Sequence, residues 1–199
     1  PFASLVLIFW FLLSDLLKGG LGAKPPGFEF LKKTTLWDQI TSFGNLYLAY
    51  RLAAKSRHSS AAVAGFEFNL EDNLVKLQRQ LKEGSYSPGA YTSFHIHDPK
   101  KRLISAAPFR DRVVHHALVN IIEPIFERKF IFDSYANRRG KGTHRALDRS
   151  TWYMRRYQFI LPIDIVQYFP SIDHELLFDL INQEIDEPGV LSLCKLIID

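Results

Sequence analysis

Residues 161–177 read LPIDIVQYFPSIDHELL. An apolar run ends on an acid, Asp164, at a place where a buried strand ordinarily takes another Val or Ile. The aromatic pair Tyr168 and Phe169 follows, and then a second acid, Asp173. A carboxylate at the C-terminal end of a buried strand is costly unless it is compensated, either by a hard divalent cation such as Mg2+ or by a structural salt bridge. The residues alone leave both open. Asp173 has a simpler reading, because SIDHELL has the form of a helix N-cap followed by an amphipathic helix, HELLFDLINQEI.

Outward from this stretch, the 199 residues are 47% apolar and 14% aromatic, enough for one substantial core or two small ones. The one cysteine, Cys194, excludes an intramolecular disulfide and reads as a small buried hydrophobe. Charge is unevenly spread: 10 basic and 7 acidic side chains over 1–94, 14 and 6 over 95–160, 1 and 8 over 161–199. A basic middle beside an acidic end fits a polyanion-binding surface next to a cation site, and fits solvated faces equally well.

The chain opens at Pro1 and stops at Asp199 inside an apolar pattern, so the expectation is a fragment at both ends. FASLVLIFWFLLSDLL (2–17) is apolar but shorter than the ~20 residues of a spanning helix, and it contains Asp15. It lacks the basic start and small-residue cleavage site of a signal peptide. A Gly/Pro linker, GGLGAKPPG (19–27), sets it apart, so residues 1–30 are expected to lie outside the domain. A membrane-attached interaction protein would rest on residues 2–17 alone, and a membrane is not among the expected partners.

Thr35 and Asp38 mark a helix start, and a helix or helix pair is predicted over 36–56, before the loop KSRHSS. Asn69 is predicted to cap a helix bearing Leu70, Leu74, Leu77 and Leu81, closed by Gly84. YTSFHIH (91–97) and RLISAA (102–107) read as antiparallel strands around DPKK. From Asp111 the spacing is helical, bent or restarted at Pro124, and the loop SYANRRGKG follows. Thr143 begins a helix to about Tyr157, and FILPIDI (159–165) is predicted to be a strand.

Lys100, Lys101 and Arg102 fall at the hairpin tip, Arg110 and Arg112 just after its second strand, and Arg138, Arg139 and Lys141 in the Gly-containing loop. Singly, each group reads as solvated surface; together they suit phosphate binding, with the amides of GKGT at a helix start as further donors. GKGT lacks the frame of a Walker A loop. His95 and His97 share a strand face and His115 and His116 adjoin on a helix, but neither pair brings a third ligand, so core or surface histidines are expected rather than zinc. No Gly-x-Ser-x-Gly elbow appears.

The order of these pieces carries more than any one of them. KKRLISAAPFRDRVVHHALVNIIEPIFERKFIFDSYANRRGKGTHRAL, followed by LPIDIVQYFPSIDHELL, closely resembles the fingers and first palm segment of bacterial retron-type reverse transcriptases, the group that includes group II intron and diversity-generating enzymes. The likeness spans roughly 35–199, and 100–177 is its specific part. It implies an α/β, or α+β, right-hand polymerase: a helix-rich fingers region over 31–157 with one hairpin, and over 158–199 the start of the palm, with an incomplete antiparallel sheet. Asp164 would be the first carboxylate of a two-Mg2+ site, helped by the Ile165 carbonyl, and nucleotidyl transfer would pass from a deoxynucleoside triphosphate to a primer 3′-end.

By the same resemblance, Lys100 and Arg102 match fingers positions that touch the incoming triphosphate, and Phe169 falls where an aromatic side chain excludes a 2′-hydroxyl. Lys101, Arg110, Arg112, Arg138, Arg139 and Lys141 are the candidate nucleic-acid contacts, with a fold-building role open for the arginines. The partners implied are an RNA template, a DNA or RNA primer and deoxynucleotides, with an accessory protein left open, and the location is the bacterial cytoplasm. The family's Tyr-x-Asp-Asp strand is absent, so the expectation is a chain inactive by itself. SYANRRGKG stands where group II intron proteins more often carry a Gly-Phe-Arg-Pro-Gly type sequence, which tilts the likeness toward the other branches. The alternative is a non-enzymatic RNA-binding protein, maturase-like or a decayed polymerase, which would keep the Lys/Arg block without needing Asp164.

Overall fold

The structure is a computed structural model that describes residues 34–199 other than 56, 58, 59, 98–100, 139 and 170. The apolar segment and linker read over 1–30 lie outside the described residues. Among the described residues the order is α1 (Leu36–Ile40), α2 (Phe43–Ala54), α3 (Ala61–Glu67), α4 (Leu70–Lys82), β1 (Thr92–Ile96), β2 (Arg102–Ala106), α5 (Phe109–Glu127), α6 (Thr143–Met154), α7 (His174–Asn182) and α8 (Pro188–Ile198). This is the helix-rich α/β fold expected, with β1 and β2 as a two-stranded antiparallel sheet.

Local chemistry places several helix ends. Thr35 Oγ1 accepts from the Asp38 amide at 3.0 Å while the Asp38 carboxylate accepts from the Thr35 amide at 3.4 Å, a complete capping box for α1. Asp173 caps α7 as read, accepting from the Leu176 amide at 3.0 Å. At the end of α4, Gly84 takes φ +70°, and the amides of Gly84 and Ser85 reach the carbonyls of Leu81 and Gln80 at 3.2 and 2.9 Å, the Schellman closure that favours glycine there. Asn69 holds the N-cap position of α4, but its side chain makes no capping bond. The residues just before it form α3, a helix the spacing did not announce, since AAVAGFE buries only Val63 and Phe66.

The core is built from α1 to α5 together with Ile185 and α8. Leu46, Ala49 and Ala53 of α2 and Val113, Val114 and Ala117 of α5 are at most 2% exposed, and small side chains let the two helices run close. Asn45 stitches three elements: its amide donates to the carbonyls of Ile40 and Ala117 at 3.1 and 2.9 Å and accepts from Asn120 at 3.1 Å. α5 is continuous through Pro124 from Phe109, rather than restarted there. α8 returns to the start of the chain, where the Glu187 carboxylate accepts from the amides of Leu36 and Trp37, each at 2.8 Å.

Two expectations need correction. α6 ends at Met154, and Arg156 and Tyr157 continue only as a turn onto the Tyr153 carbonyl, at 2.8 and 3.0 Å. FILPIDI, read as the first strand of an antiparallel palm sheet, forms no ladder. Phe159, Leu161 and Ile163 are 89%, 80% and 80% exposed. A strand is held by hydrogen bonds to a neighbour, and among the described residues the one sheet is β1 with β2.

Candidate nucleic-acid interface

The hairpin projects its charge outward. In its register Ile96 faces Arg102 and Ser93 faces Ser105, whose hydroxyls bond at 2.9 Å, and every residue of β1 is exposed. Lys101 and Arg102 are exposed at its tip, and Lys100 lies outside the described residues. The root of the hairpin is anchored by Asp111, 1% exposed, which accepts from the Tyr86 hydroxyl at 2.9 Å, the Gly89 amide at 2.7 Å and Arg110 Nε at 3.0 Å. A Cβ on Gly89 would meet Pro108 Cγ at 3.0 Å and Asp111 Oδ2 at 3.3 Å, so the close approach there depends on glycine.

The arginines after the hairpin face protein acceptors. Arg110 pairs with Asp111 and also reaches the Ser87 carbonyl. Arg112 donates to the Ala53 carbonyl at 3.0 Å, joining α5 to α2. Arg138, 8% exposed, pairs with Glu127 at 2.8 Å and donates to the carbonyls of Ile131 and Ser134 at 2.7 and 3.2 Å. Through these contacts Arg138 wraps the loop onto the end of α5. Arg139 lies outside the described residues. Lys141 donates to the Phe132 carbonyl at 2.5 Å and sits 3.8 Å over the Phe132 ring.

Asp164 is exposed, and its carboxylate accepts from the adjacent Ile165 amide at 3.0 Å. No hydrogen bond or ion pair of the described residues links it to the basic groups. Gln167 takes φ +52°, and a tight turn follows in which Ser171 bonds back to Gln167 at 3.0 Å. Phe169 is half-buried on that turn, edge-on to Tyr168 with centroids 5.2 Å apart, and takes no part in the main core. No group of three or more His, Cys, Asp and Glu that could hold a metal occurs among the described residues. His95 and His97 are exposed, whereas His115 and His116 are buried in α5.

One arrangement was not singled out from the sequence. Asp133 accepts from Arg149 Nε at 2.8 Å and from the hydroxyls of Tyr135 and Tyr153, each at 2.9 Å. The Arg149 hydrogen bond, with the tyrosine hydroxyls, pulls the Asp133 carboxyl down to about 2. The available signal was periodic: Arg145, Arg149, Trp152 and Arg156 recur at i, i+4, i+7 and i+11, one face of a helix.

The geometry thus defines a helix-rich α/β unit that holds out a basic hairpin and a basic, aromatic loop. The chain is similar to group II intron-encoded proteins and intron maturases, which bears out the resemblance to the retron-type group read from its sequence but lends nothing to the tilt away from the intron branch. It is 28% identical over 126 residues to the group II intron-encoded protein LtrA of Lactococcus lactis subsp. cremoris, covering 62% of this chain and 21% of that protein. It is 32% identical over 140 residues to nuclear intron maturase 2, mitochondrial, of Arabidopsis thaliana, covering 62% of this chain and 19% of that one. Protein YkfC of Escherichia coli is 26% identical over 124 residues, covering 59% of this chain and 32% of YkfC. The matched part therefore spans between about a fifth and a third of these relatives' lengths. No family model matches the chain. No helix among the described residues is long and apolar enough to cross a membrane.

Proposed function

We propose that the chain is the RNA-gripping front of an intron-type reverse transcriptase, a polymerase of the nucleotidyl-transferring class, with Asp164 contributing to the site of primer extension. The observation that supports this most is the succession of basic hairpin, buried RDRVV helix, basic loop and exposed Asp164 turn in a chain whose relatives are intron-encoded proteins and maturases. Lys101 and Arg102 stand free of the core at the hairpin tip, where, with Lys100, they would meet a triphosphate or a template phosphate. Phe169 would lie under the incoming sugar.

In such an enzyme a pair of Mg2+ ions supplies charge stabilisation at the attacking and leaving oxygens. The donor set among the described residues does not complete that site. Asp164 and the Ile165 carbonyl would supply two of its oxygens, and water, substrate phosphates and further carboxylates would have to supply the rest. The 199-residue chain by itself is expected not to extend a primer.

The likeness to nuclear intron maturase 2 favours a second reading, a maturase-like RNA-binding protein that does not need Asp164 for catalysis. Both readings require RNA binding through the Lys/Arg block, and they part at Asp164. A fluorescently labelled structured RNA, titrated at several salt concentrations, tests the shared claim. Lys101→Gln with Arg102→Gln should weaken binding and flatten the salt dependence by about 1.4–1.8 in log–log slope, while Asp164→Ala leaves affinity unchanged. Equal loss on Asp164→Ala would make that acid structural. Wherever a chain containing these residues extends primers, Asp164→Ala should abolish synthesis and Phe169→Ala should admit ribonucleotides. An unmoved sugar preference would assign Phe169 to packing.

A further inference from the structure

We propose that the outward face of α6, with Phe132, Tyr135 and Lys141 of the preceding loop, is a stacking site for single-stranded RNA. This deepens the RNA-binding reading above and rests on it. α6 buries no residue, yet it is not a bland solvated helix. Arg145, Arg149 and Trp152 form one stripe of α6, about 10 Å long at helical rise, Arg156 extends it from the turn just past the helix end, and Phe132, Tyr135 and Lys141 of the loop close its flank. Between loop and helix lies an open groove of about 350 Å³.

The groups in the stripe are pre-oriented. Asp133 fixes Arg149 by two bonds, at 2.8 and 3.2 Å, and holds Tyr153 by its hydroxyl. That places the Arg149 guanidinium 4.7 Å from the centroids of both Trp152 and Tyr153, and Arg156 lies 4.0 Å over Trp152. Phe132, 71% exposed, carries the Lys141 ammonium on one face, and Trp152 is 41% exposed. Arg145 has no hydrogen bond or ion pair among the described residues, which leaves its charge available to a ligand.

Exposed rings and guanidinium planes with the uncommitted Arg145 beside them are what an unpaired nucleotide requires, since every base offers a π-face to stack and every phosphate a charge to neutralise. A duplex hides those faces. Four cations of the stripe and loop (Lys141, Arg145, Arg149, Arg156) stand against two carboxylates, Asp133 and Asp148. A second copy docked face to face would bring the same excess positive charge, so charge complementarity favours a polyanion over that pairing.

The test is anisotropy of a short fluorescein-labelled oligouridylate with the full chain. Trp152→Ala should weaken binding about tenfold, the worth of one stacked base, while Trp152→Phe retains most of it. Arg145→Gln should lower the salt slope by about 0.7, and Lys82→Gln, which removes the same charge from the exposed end of α4, should change neither. Unchanged affinity in Trp152→Ala overturns the site and leaves the RNA-binding reading intact. Binding of structured RNA without oligouridylate also overturns the site, and binding of neither overturns both readings. Self-association in sedimentation that Trp152→Ala abolishes, with RNA affinity unmoved, gives the face to a second copy instead.

Discussion

The hydroxyl of Tyr86 donates to the carboxylate of Asp111 at 2.9 Å, tying the segment that leads into the hairpin to the first turn of α5. Burial, and then the Asp111 charge, push the Tyr86 phenol well above its ordinary value, so it stays a donor at any physiological pH. Asp111→Ala strands the Tyr86 hydroxyl and the Gly89 amide in a dry site and should cost about 3 kcal/mol in denaturant unfolding. Tyr86→Phe alone should cost about 1 kcal/mol, and the double variant less than the two together, because the residues share one bond. Additive losses would mean that the bond does not form.

Glu187 does for α1 what a local cap does elsewhere, from 151 residues away, by accepting from the Leu36 and Trp37 amides. Glu187→Ala should lower stability by about 1–2 kcal/mol, with Glu187→Gln in between, since the amide oxygen still accepts but carries no charge for the helix dipole. A melting temperature that does not move would show α8 to be undocked from α1.

Gly189 sits where α8 meets Trp37, and a Cβ there would fall 2.8 Å from Trp37 Cδ2. Gly189→Ala should therefore destabilise by about 1–3 kcal/mol despite its better helix propensity, through overpacking against the Trp37 ring. A gain in stability, as expected for an exposed helical glycine, would contradict the packing.

Stability should fall on acidification. Burial, aided by the Arg112 charge at His116, lowers His115 from 6.5 to about 4 and His116 from 6.5 to about 3. Neither ring nitrogen of His115 has a hydrogen-bond partner. Between those values and 6.5 the unfolded chain binds more protons than the folded one. The contribution is full above pH 6.5 and is lost as pH drops toward the folded values, at up to about 1.4 kcal/mol per pH unit for each histidine. His115→Leu should flatten that slope in urea titrations across the range; an unchanged slope would show the imidazole to be solvated.

Much of the helical scaffold was legible because its signals are short-range. Thr35 with Asp38, Asp173 with Leu176 and Gly84 with its closing amides all act within five residues, and the leucines of α4 declare their face by spacing. The hairpin followed from alternation on either side of a charged turn. The strand read at FILPIDI failed for the complementary reason: apolar composition describes a segment that is able to pair, and pairing needs a partner strand. The stripe on α6 was visible as a period, but its chemistry was not, because Asp133, which organises it, lies 16 residues before Arg149.

The sequence by itself determined most of the helices and several of their ends, the hairpin, and the ordered run of basic and acidic motifs that this chain shares in likeness with the intron-encoded proteins. Tertiary structure decided which charges remain available. Arg112 is taken up by a carbonyl 59 residues earlier and Arg138 by Glu127, while Lys101, Arg102 and Arg145 stay exposed to solvent. A buried guanidinium is affordable only where acceptors converge on it, and convergence is set by how α2, α5 and the loop pack, which no local pattern encodes.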